Sequence, residues 1–293
     1  MKLLRSILFT PGNNMRRIHK IPSLKADAVI LDLEDSIPMT EKQTARFFIK
    51  TNLELAKSGV AEIYVRVNGT YSGLLEDDCD FIVQKGLDGI MIPKVESKED
   101  VTDTEKIIEK LEKERGIELG SIVLIPTLET AKGIMNVHEI ANASKRNVAI
   151  GFGAVDFTRD LGTTLSKEGT ELFYARSKTS IAARAAGIQA LDTVFIDLAD
   201  NEGLIKDARR GKQLGFKGKF LIHPNQIEPV NRVFSPSEKE VEYAKRIVTA
   251  MKEAEAKGLG ATSFEGRMID IAVLRQAEDL VSLADSIAKK ENR

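Results

Sequence analysis

The chain has 293 residues, with 43 Lys and Arg against 44 Asp and Glu, three His, one Cys and no Trp. A formal net charge of −1 gives no general electrostatic pull toward nucleic acid or a membrane surface, and a single cysteine excludes an internal disulfide and a cysteine zinc site. With 42% hydrophobic and 30% charged residues the composition suits a globular protein with a sizeable core, in which any metal must be held by carboxylates.

Short apolar, β-branched runs alternate with longer amphipathic stretches along the chain. The runs predict eight strands, at 5–10, 28–33, 62–67, 89–92, 121–127, 148–152, 193–197 and 219–222. Helical segments follow them, most clearly at 41–57 and 98–115. Eight such units in about 230 residues predict an α/β fold of the TIM (β/α)8 type, with a doubly wound open sheet as the alternative. The open sheet is weakened because no G-x-G-x-x-G follows the first strand. Beyond Phe234 the pattern changes. Ser235-Pro236-Ser237 followed by Glu240 reads as a capped helix start, with helices over 237–257 and 271–289 around a glycine-punctuated stretch at 258–270. The expected organisation is a catalytic barrel over 1–235 and a C-terminal helical arm over 236–293. Pro11-Gly12 breaks the apolar run Ser6-Ile7-Leu8-Phe9 too early for a signal peptide, and no stretch approaches the roughly 18 apolar residues of a membrane span. A soluble, cytoplasmic protein is expected.

In a TIM barrel the reacting groups project from the C-terminal ends of the strands. In chain order those ends are Thr10-Pro11-Gly12-Asn13, Asp32-Leu33-Glu34-Asp35, Arg66-Val67-Asn68, Pro93-Lys94, Glu129-Thr130, Gly151-Phe152-Gly153-Ala154-Val155-Asp156, Asp197 with Asp200, and His223-Pro224-Asn225. Nearly all are charged, directly after apolar strands, and burying such groups is costly unless they pair or bind a metal. Glu129 and Asp156 close neighbouring strands and suit Mg²⁺, which favours octahedral oxygen ligation; the alternatives are helix-terminus roles for each. Arg66 can clamp a carboxylate bidentately, or else pair with Glu34 or Asp35. Gly151-Phe152-Gly153 is a weak phosphate-loop signal. His223 and Cys79 are read as structural.

Taken in order, Arg5 to Gly12, Ile30 to Ser36, Arg66-Val67-Asn68, Pro93-Lys94, Glu129-Thr130, Gly153-Ala154-Val155-Asp156 and His223-Pro224-Asn225-Gln226 resemble the citrate lyase β-subunit-like proteins of the HpcH/HpaI aldolase superfamily. The resemblance runs from Arg5 to about Ala288. It implies a TIM barrel, a Mg²⁺ ion and a CoA thioester substrate. It also implies cleavage or formation of the C–C bond of a 3-hydroxyacyl-CoA, giving a 2-oxo acid and acetyl- or propionyl-CoA. Glu129 and Asp156 match the family's metal ligands, and Arg66 matches its substrate-clamping arginine. Phe264-Glu265-Gly266-Arg267-Met268-Ile269-Asp270 matches its C-terminal motif, which in the family reaches a neighbouring subunit's active site, so Asp270 is a catalytic candidate with Glu34 near it. A homotrimer or hexamer is implied, with no nucleic-acid or membrane partner.

The candidate CoA contacts are Pro11, Gly12, Asn13 and Arg16, with Arg66 on the acyl part. Arg17 and Lys20 are better read as a solvated face, and the Lys42…Arg46 segment is a second CoA candidate. True citrate lyase subunits tend to carry Glu-Ser, Gly-Ala-Glu-Asp and Asn-Pro where this chain has Glu129-Thr130, Gly153-Ala154-Val155-Asp156 and His223-Pro224. The resemblance therefore leans to the stand-alone citramalyl-CoA and malyl-CoA lyases, with a citryl-CoA lyase subunit as the alternative. Two further readings are a CoA- or metabolite-binding scaffold and a phosphoenolpyruvate-using barrel. Glu129, Asp156, Arg66 and Asp270 together argue against the scaffold, and inhibition by phosphoenolpyruvate analogues alone would mark the other barrel.

Overall fold

Eight short strands close into a parallel barrel in the order of the chain, in a computed structural model that describes residues 2–256 and 258–291. The strands are β1 Ser6–Pro11, β2 Ala28–Asp32, β3 Glu62–Arg66, β4 Gly89–Ile92, β5 Val123–Leu128, β6 Ala149–Phe152, β7 Gln189–Asp192 and β8 Gly218–Leu221. β1 pairs with β2 and with β8, so no edge is left open. Alternate residues point inward. Ile7, Ala28, Ile30, Tyr64, Met91, Ile125, Ala149, Leu191 and Phe220 interleave there as a packed centre. The opposite residues face the helices. The helix Lys42–Lys57, for example, buries Ala45, Ile49, Leu53 and Ala56 at helical spacing. Ser97 opens the helix Lys98–Glu114 with a capping box to Asp100.

Seven of the eight expected strands lie within two residues of the observed ones. The seventh does not, and this corrects the sequence reading. Residues 193–197 lie outside the ladder, and β7 is Gln189–Asp192. The apolar run Val194-Phe195-Ile196 looked more strand-like, but only Val194 packs on the barrel centre, and Ile196 is exposed. Polar residues disguise β7, because Asp192 faces outward into a buried ion network. Arg176 donates to it at 2.9 and 3.0 Å, and the ammonium of Lys219 on β8 lies 3.1 Å away. Asp197 and Asp200 therefore do not end a strand. Asp200 accepts a hydrogen bond from the Gly203 backbone N–H at 2.8 Å and caps the helix Asn201–Gln213.

The chain divides into compact units Met1–Asn231 and Arg232–Arg293. In the second unit Ser237 and Glu240 form the capping box read from the sequence and start the helix Glu238–Glu255. The expected helix end at Lys257 lies outside the described residues. Two antiparallel strands follow, β9 Ala261–Phe264 and β10 Arg267–Asp270. The turn between them, Glu265-Gly266, has positive φ at both positions, as a two-residue hairpin of this twist requires. The helix Ile271–Glu291 completes the unit, whose core holds Ala244, Ile247, Met251, Ile269, Leu274 and Ala277. Among the described residues, no helix is long and apolar enough to cross a membrane.

Candidate active site

Five carboxylates and two cations meet where β2 to β6 end. Asp32 and Arg66 are register partners on β2 and β3, and both project at the C-terminal end of the barrel. The Arg66 guanidinium donates to Asp32 through Nε at 2.6 Å and Nη2 at 2.7 Å. Its Nη1 lies 2.9 Å from Glu34 and 3.6 Å from Asp35, and its plane sits 4.9 Å from the centre of the Phe9 ring. Lys94, just after β4, places its ammonium on Glu34, 3.0 Å from Asp35 and 3.8 Å from Glu129. The Tyr71 hydroxyl donates to Glu34 at 3.0 Å. Arg66 thus takes the partners foreseen, Glu34 and Asp35, but its principal partner is Asp32, which the sequence reading had not chosen. The matched register of two adjacent strands carries that signal.

Glu129 follows β5 directly and is 3% exposed. A β-carbon at position 153 would come within 2.7 Å of its Cγ, so the glycine after β6 lets this carboxylate lie against the neighbouring strand end. Gly151 likewise lies tight beneath Phe220. These glycines serve close packing. Asp156 sits in the first turn of the helix Ala154–Asp160, where it pairs with Arg159 at 2.6 Å. That helix start is fixed by Thr193, whose hydroxyl accepts from the Ala154 N–H at 2.8 Å. Neither acid is a helix cap. Thr130 caps the helix Ala131–Met135 and Gly153 holds the cap position of the other.

Among the described residues, Asp35, Glu129 and Asp156 offer three oxygen atoms that all lie within 4.8 Å of one another. Asp35 is the member that sequence reasoning passed over, although its strand end was marked. Burial pushes the Glu129 carboxyl up to about 8, helped by Glu34 and Asp156 and opposed by Arg66 and Lys94. Burial also raises Glu34 despite those two cations. At Asp32 burial acts in the same upward direction, but Arg66, the Ser36 hydroxyl and the Glu34 N–H outweigh it and hold the carboxyl at about 2. Burial thus disfavours the ionised form of Glu129 until a cation comes to stand beside it. The three hard oxygen donors of Asp35, Glu129 and Asp156 fit a divalent cation such as Mg²⁺.

The remaining candidates are placed as follows. Pro11 ends β1, and a β-carbon on Gly12 would come within 2.6 Å of the Asp32 carbonyl oxygen, which accepts the Gly12 N–H at 2.9 Å. Asn13 donates its amide to Glu41, and Arg16 is exposed. Lys42 and Arg46 are spent inside the fold, which corrects the reading of that segment as a CoA contact. The Lys42 ammonium donates to the Leu33 and Glu34 carbonyls and to Asn68, at 2.6 to 2.8 Å. Arg46 holds the buried Asp78 at 2.7 Å. Cys79 is buried, and burial raises its thiol pKa, as suits an inert core residue. His223 accepts the Asn225 N–H through Nδ1 at 3.2 Å, a structural cap. Asp270 lies in the second unit, where its carboxylate accepts from the Ala272 and Val273 N–H groups at 3.0 and 3.1 Å and starts the last helix.

Residues 5–224 match the HpcH/HpaI aldolase/citrate lyase family. The chain is 40% identical over 285 residues to citrate lyase subunit beta of Leuconostoc mesenteroides subsp. cremoris, covering 97% of this chain and 94% of that one. It is 39% identical over 296 residues to mitochondrial citramalyl-CoA lyase of Homo sapiens, covering 98% and 87%. The fold superposes with a TM-score of 0.77 and 30% identity on the CitE protein of Mycobacterium tuberculosis in complex with magnesium, acetoacetate and coenzyme A, covering 96% of this chain and 98% of that one. A parallel barrel with its acids and arginine gathered at the strand ends, matched along nearly its whole length by such relatives, places this chain in the HpcH/HpaI aldolase/citrate lyase family as a carbon–carbon lyase of the citrate lyase β-subunit-like kind.

Proposed function

We propose that the chain is a Mg²⁺-dependent lyase that cleaves, or in reverse forms, a 3-hydroxyacyl-CoA such as citramalyl-CoA or malyl-CoA. The products of cleavage are a 2-oxo acid, pyruvate or glyoxylate, and acetyl-CoA; a methyl-substituted substrate gives propionyl-CoA. The observation that carries this reading is the carboxylate trio Asp35, Glu129 and Asp156 set beside Arg66. These three acids would hold the ion, which when bound polarises the oxygens of the acid portion and stabilises negative charge. Arg66 spends two of its five N–H donors on Asp32, while its Nη1 lies 2.9 Å from Glu34 as an ion pair without a hydrogen bond, and so keeps donors for a substrate oxygen. In cleavage a base takes the hydroxyl proton and the carbonyl of the 2-oxo acid forms. The C–C bonding pair passes to the thioester α-carbon, which is then protonated. Asp270, carried by a neighbouring copy in a trimer or hexamer, is the acid/base in this reading, with Glu34 beside it. CoA lies along Pro11 to Asn13, with Arg16 near its phosphates.

The direct test is a panel of malyl-, methylmalyl-, citramalyl- and citryl-CoA, with Mg²⁺ and with a chelator. Cleavage of malyl- or citramalyl-CoA that disappears on chelation is expected; equal rates without the metal, or turnover of none of the four, would overturn the reading. Asp270→Asn is expected to lower kcat about 10²–10⁴-fold with KM little changed. A change in KM alone would remove its acid/base role. The second reading, a citryl thioester lyase subunit of a citrate lyase complex, draws on the 40% identity to the Leuconostoc subunit. Co-purification with an acyl-carrier protein and a transferase subunit would favour it.

A further inference from the structure

Lys94 has no part in the chemistry above. It is also one of two non-glycine residues with positive φ among the described residues, at 48°. The other, Glu265, sits in a hairpin turn, where such a conformation is ordinary. Lys94 instead directly follows a barrel strand, and left-handed backbone at a lysine is unfavourable unless the surroundings impose it. The next residue is tied down, with Val95 N–H donating to the Thr127 carbonyl at 3.0 Å. The strained residue turns its side chain into the acidic cluster and leaves it only 16% exposed.

We propose that Lys94 is a positioning residue whose ammonium occupies the place a second cation would take beside Asp35, Glu129 and Asp156, and so restricts the centre to one divalent ion. The proposal rests on the metal reading given above. Asp35 and Glu129 belong both to the oxygen trio and to the surroundings of Lys94, at 3.0 and 3.8 Å from its Nζ. Sharing of carboxylates between two cations is the arrangement of two-metal centres, whose ions stand about 3.5–4 Å apart. Glu34 completes the seat. One of its oxygens contacts Lys94 and the other lies 2.9 Å from Arg66. Asp32 takes no part, because Arg66 and Ser36 engage both its oxygens. Without the ammonium, the oxygens of Glu34, Asp35 and Glu129 that face its Nζ would lose that cation beside the trio and be open to another hard cation.

Mn²⁺ alone is the probe, titrated into metal-free full-length protein and followed by equilibrium dialysis and electron paramagnetic resonance. Wild type is expected to bind one Mn²⁺ per chain. Lys94→Met is expected to bind two, with a spectrum showing exchange coupling between neighbouring ions. Lys94→Arg restores one, and Lys94→Met combined with Glu34→Gln also returns to one. Lys94→Gln serves if the Met variant does not fold. A wild type that binds no Mn²⁺ removes the metal reading itself. A wild type that binds one, with neutral variants that bind one or none, overturns the role of Lys94 alone, as does a wild type that binds two.

Discussion

Glu129→Gln and Asp156→Asn are each expected to lower Mg²⁺-dependent cleavage by about 10³-fold or more while leaving the barrel folded. A metal contributes several kcal/mol of charge stabilisation, at about 1.4 kcal/mol per tenfold of rate. Both changes are isosteric, and neither acid caps a helix, so the loss falls on the site. A second measurement separates the metal from the fold. In metal-free protein Glu129 has its carboxyl raised from 4.5 to about 8 by burial. A raised carboxyl favours the folded state's protonated form, so its ionisation costs stability progressively as pH rises from 4.5 toward 8. Glu129→Gln removes that cost and is expected to match or exceed wild type in metal-free Tm at pH 8. With Mg²⁺ at a hundred times its Kd, wild type gains about 2.7 kcal/mol and the variant gains far less. Equal Mg²⁺ shifts in Tm for both proteins, or full activity in Glu129→Gln, would remove Glu129 from the metal site, and full activity in Asp156→Asn would remove Asp156.

The barrel was legible because its strands are apolar on both faces, one toward the centre and one toward the helices. Ala28-Val29-Ile30-Leu31 has no polar alternation to confuse it, and all four residues are fully buried. β7 was hidden by the same physics in reverse. Asp192 and Lys219 are buried as an ion pair, so a strand position that should read apolar reads charged. The site followed a similar rule. Charged residues immediately after apolar strands marked Glu34, Arg66, Glu129 and Asp156. Their partners depended on register and on loops that no periodicity encodes. Asp32 opposite Arg66 needed the β2–β3 register, and the trio needed the Asp35 side chain to turn toward β5 and β6. Lys42 and Arg46 show the limit from the other side. Basic residues at i, i+4 spacing, they read as a second CoA contact, yet Asn68 and Asp78, far along the chain, hold them inside the fold. The left-handed conformation of Lys94 leaves no trace in composition at all, since lysine has no preference for it.

Arg66→Met is expected to cost both activity and stability, and the stability loss carries a pH signature that identifies its cause. Wild-type Asp32 has its carboxyl lowered from 3.8 to about 2, with Arg66 the principal cause opposing burial. A lowered carboxyl contributes stability that is present above pH 4 and is lost as pH falls from about 4 to 2; for Asp32 it amounts to about 2 kcal/mol. Removing the guanidinium leaves Asp32 buried, with its side chain 2% exposed, beside the raised Glu34. Breaking one partner from a buried pair costs about 3–5 kcal/mol, because the remaining charge is uncompensated. That charge can be relieved by protonation, so the difference between wild type and Arg66→Met is greatest at neutral pH and shrinks toward pH 4. Urea unfolding across this range measures it, and a constant difference would assign the loss to packing against Phe9 instead. The double variant Asp32→Asn with Arg66→Met removes the orphaned charge and is expected to recover most of the stability. It does not recover activity, because the donors facing the substrate are still missing. Arg66→Lys separates the two roles further. A lysine keeps the charge but loses the two parallel bonds to Asp32, so kcat/KM is expected to fall about 10²-fold or more, with a smaller stability loss than in Arg66→Met. If the lysine variant retained full turnover, a positive charge alone would suffice there, and the fork geometry of Arg66 would serve only the fold.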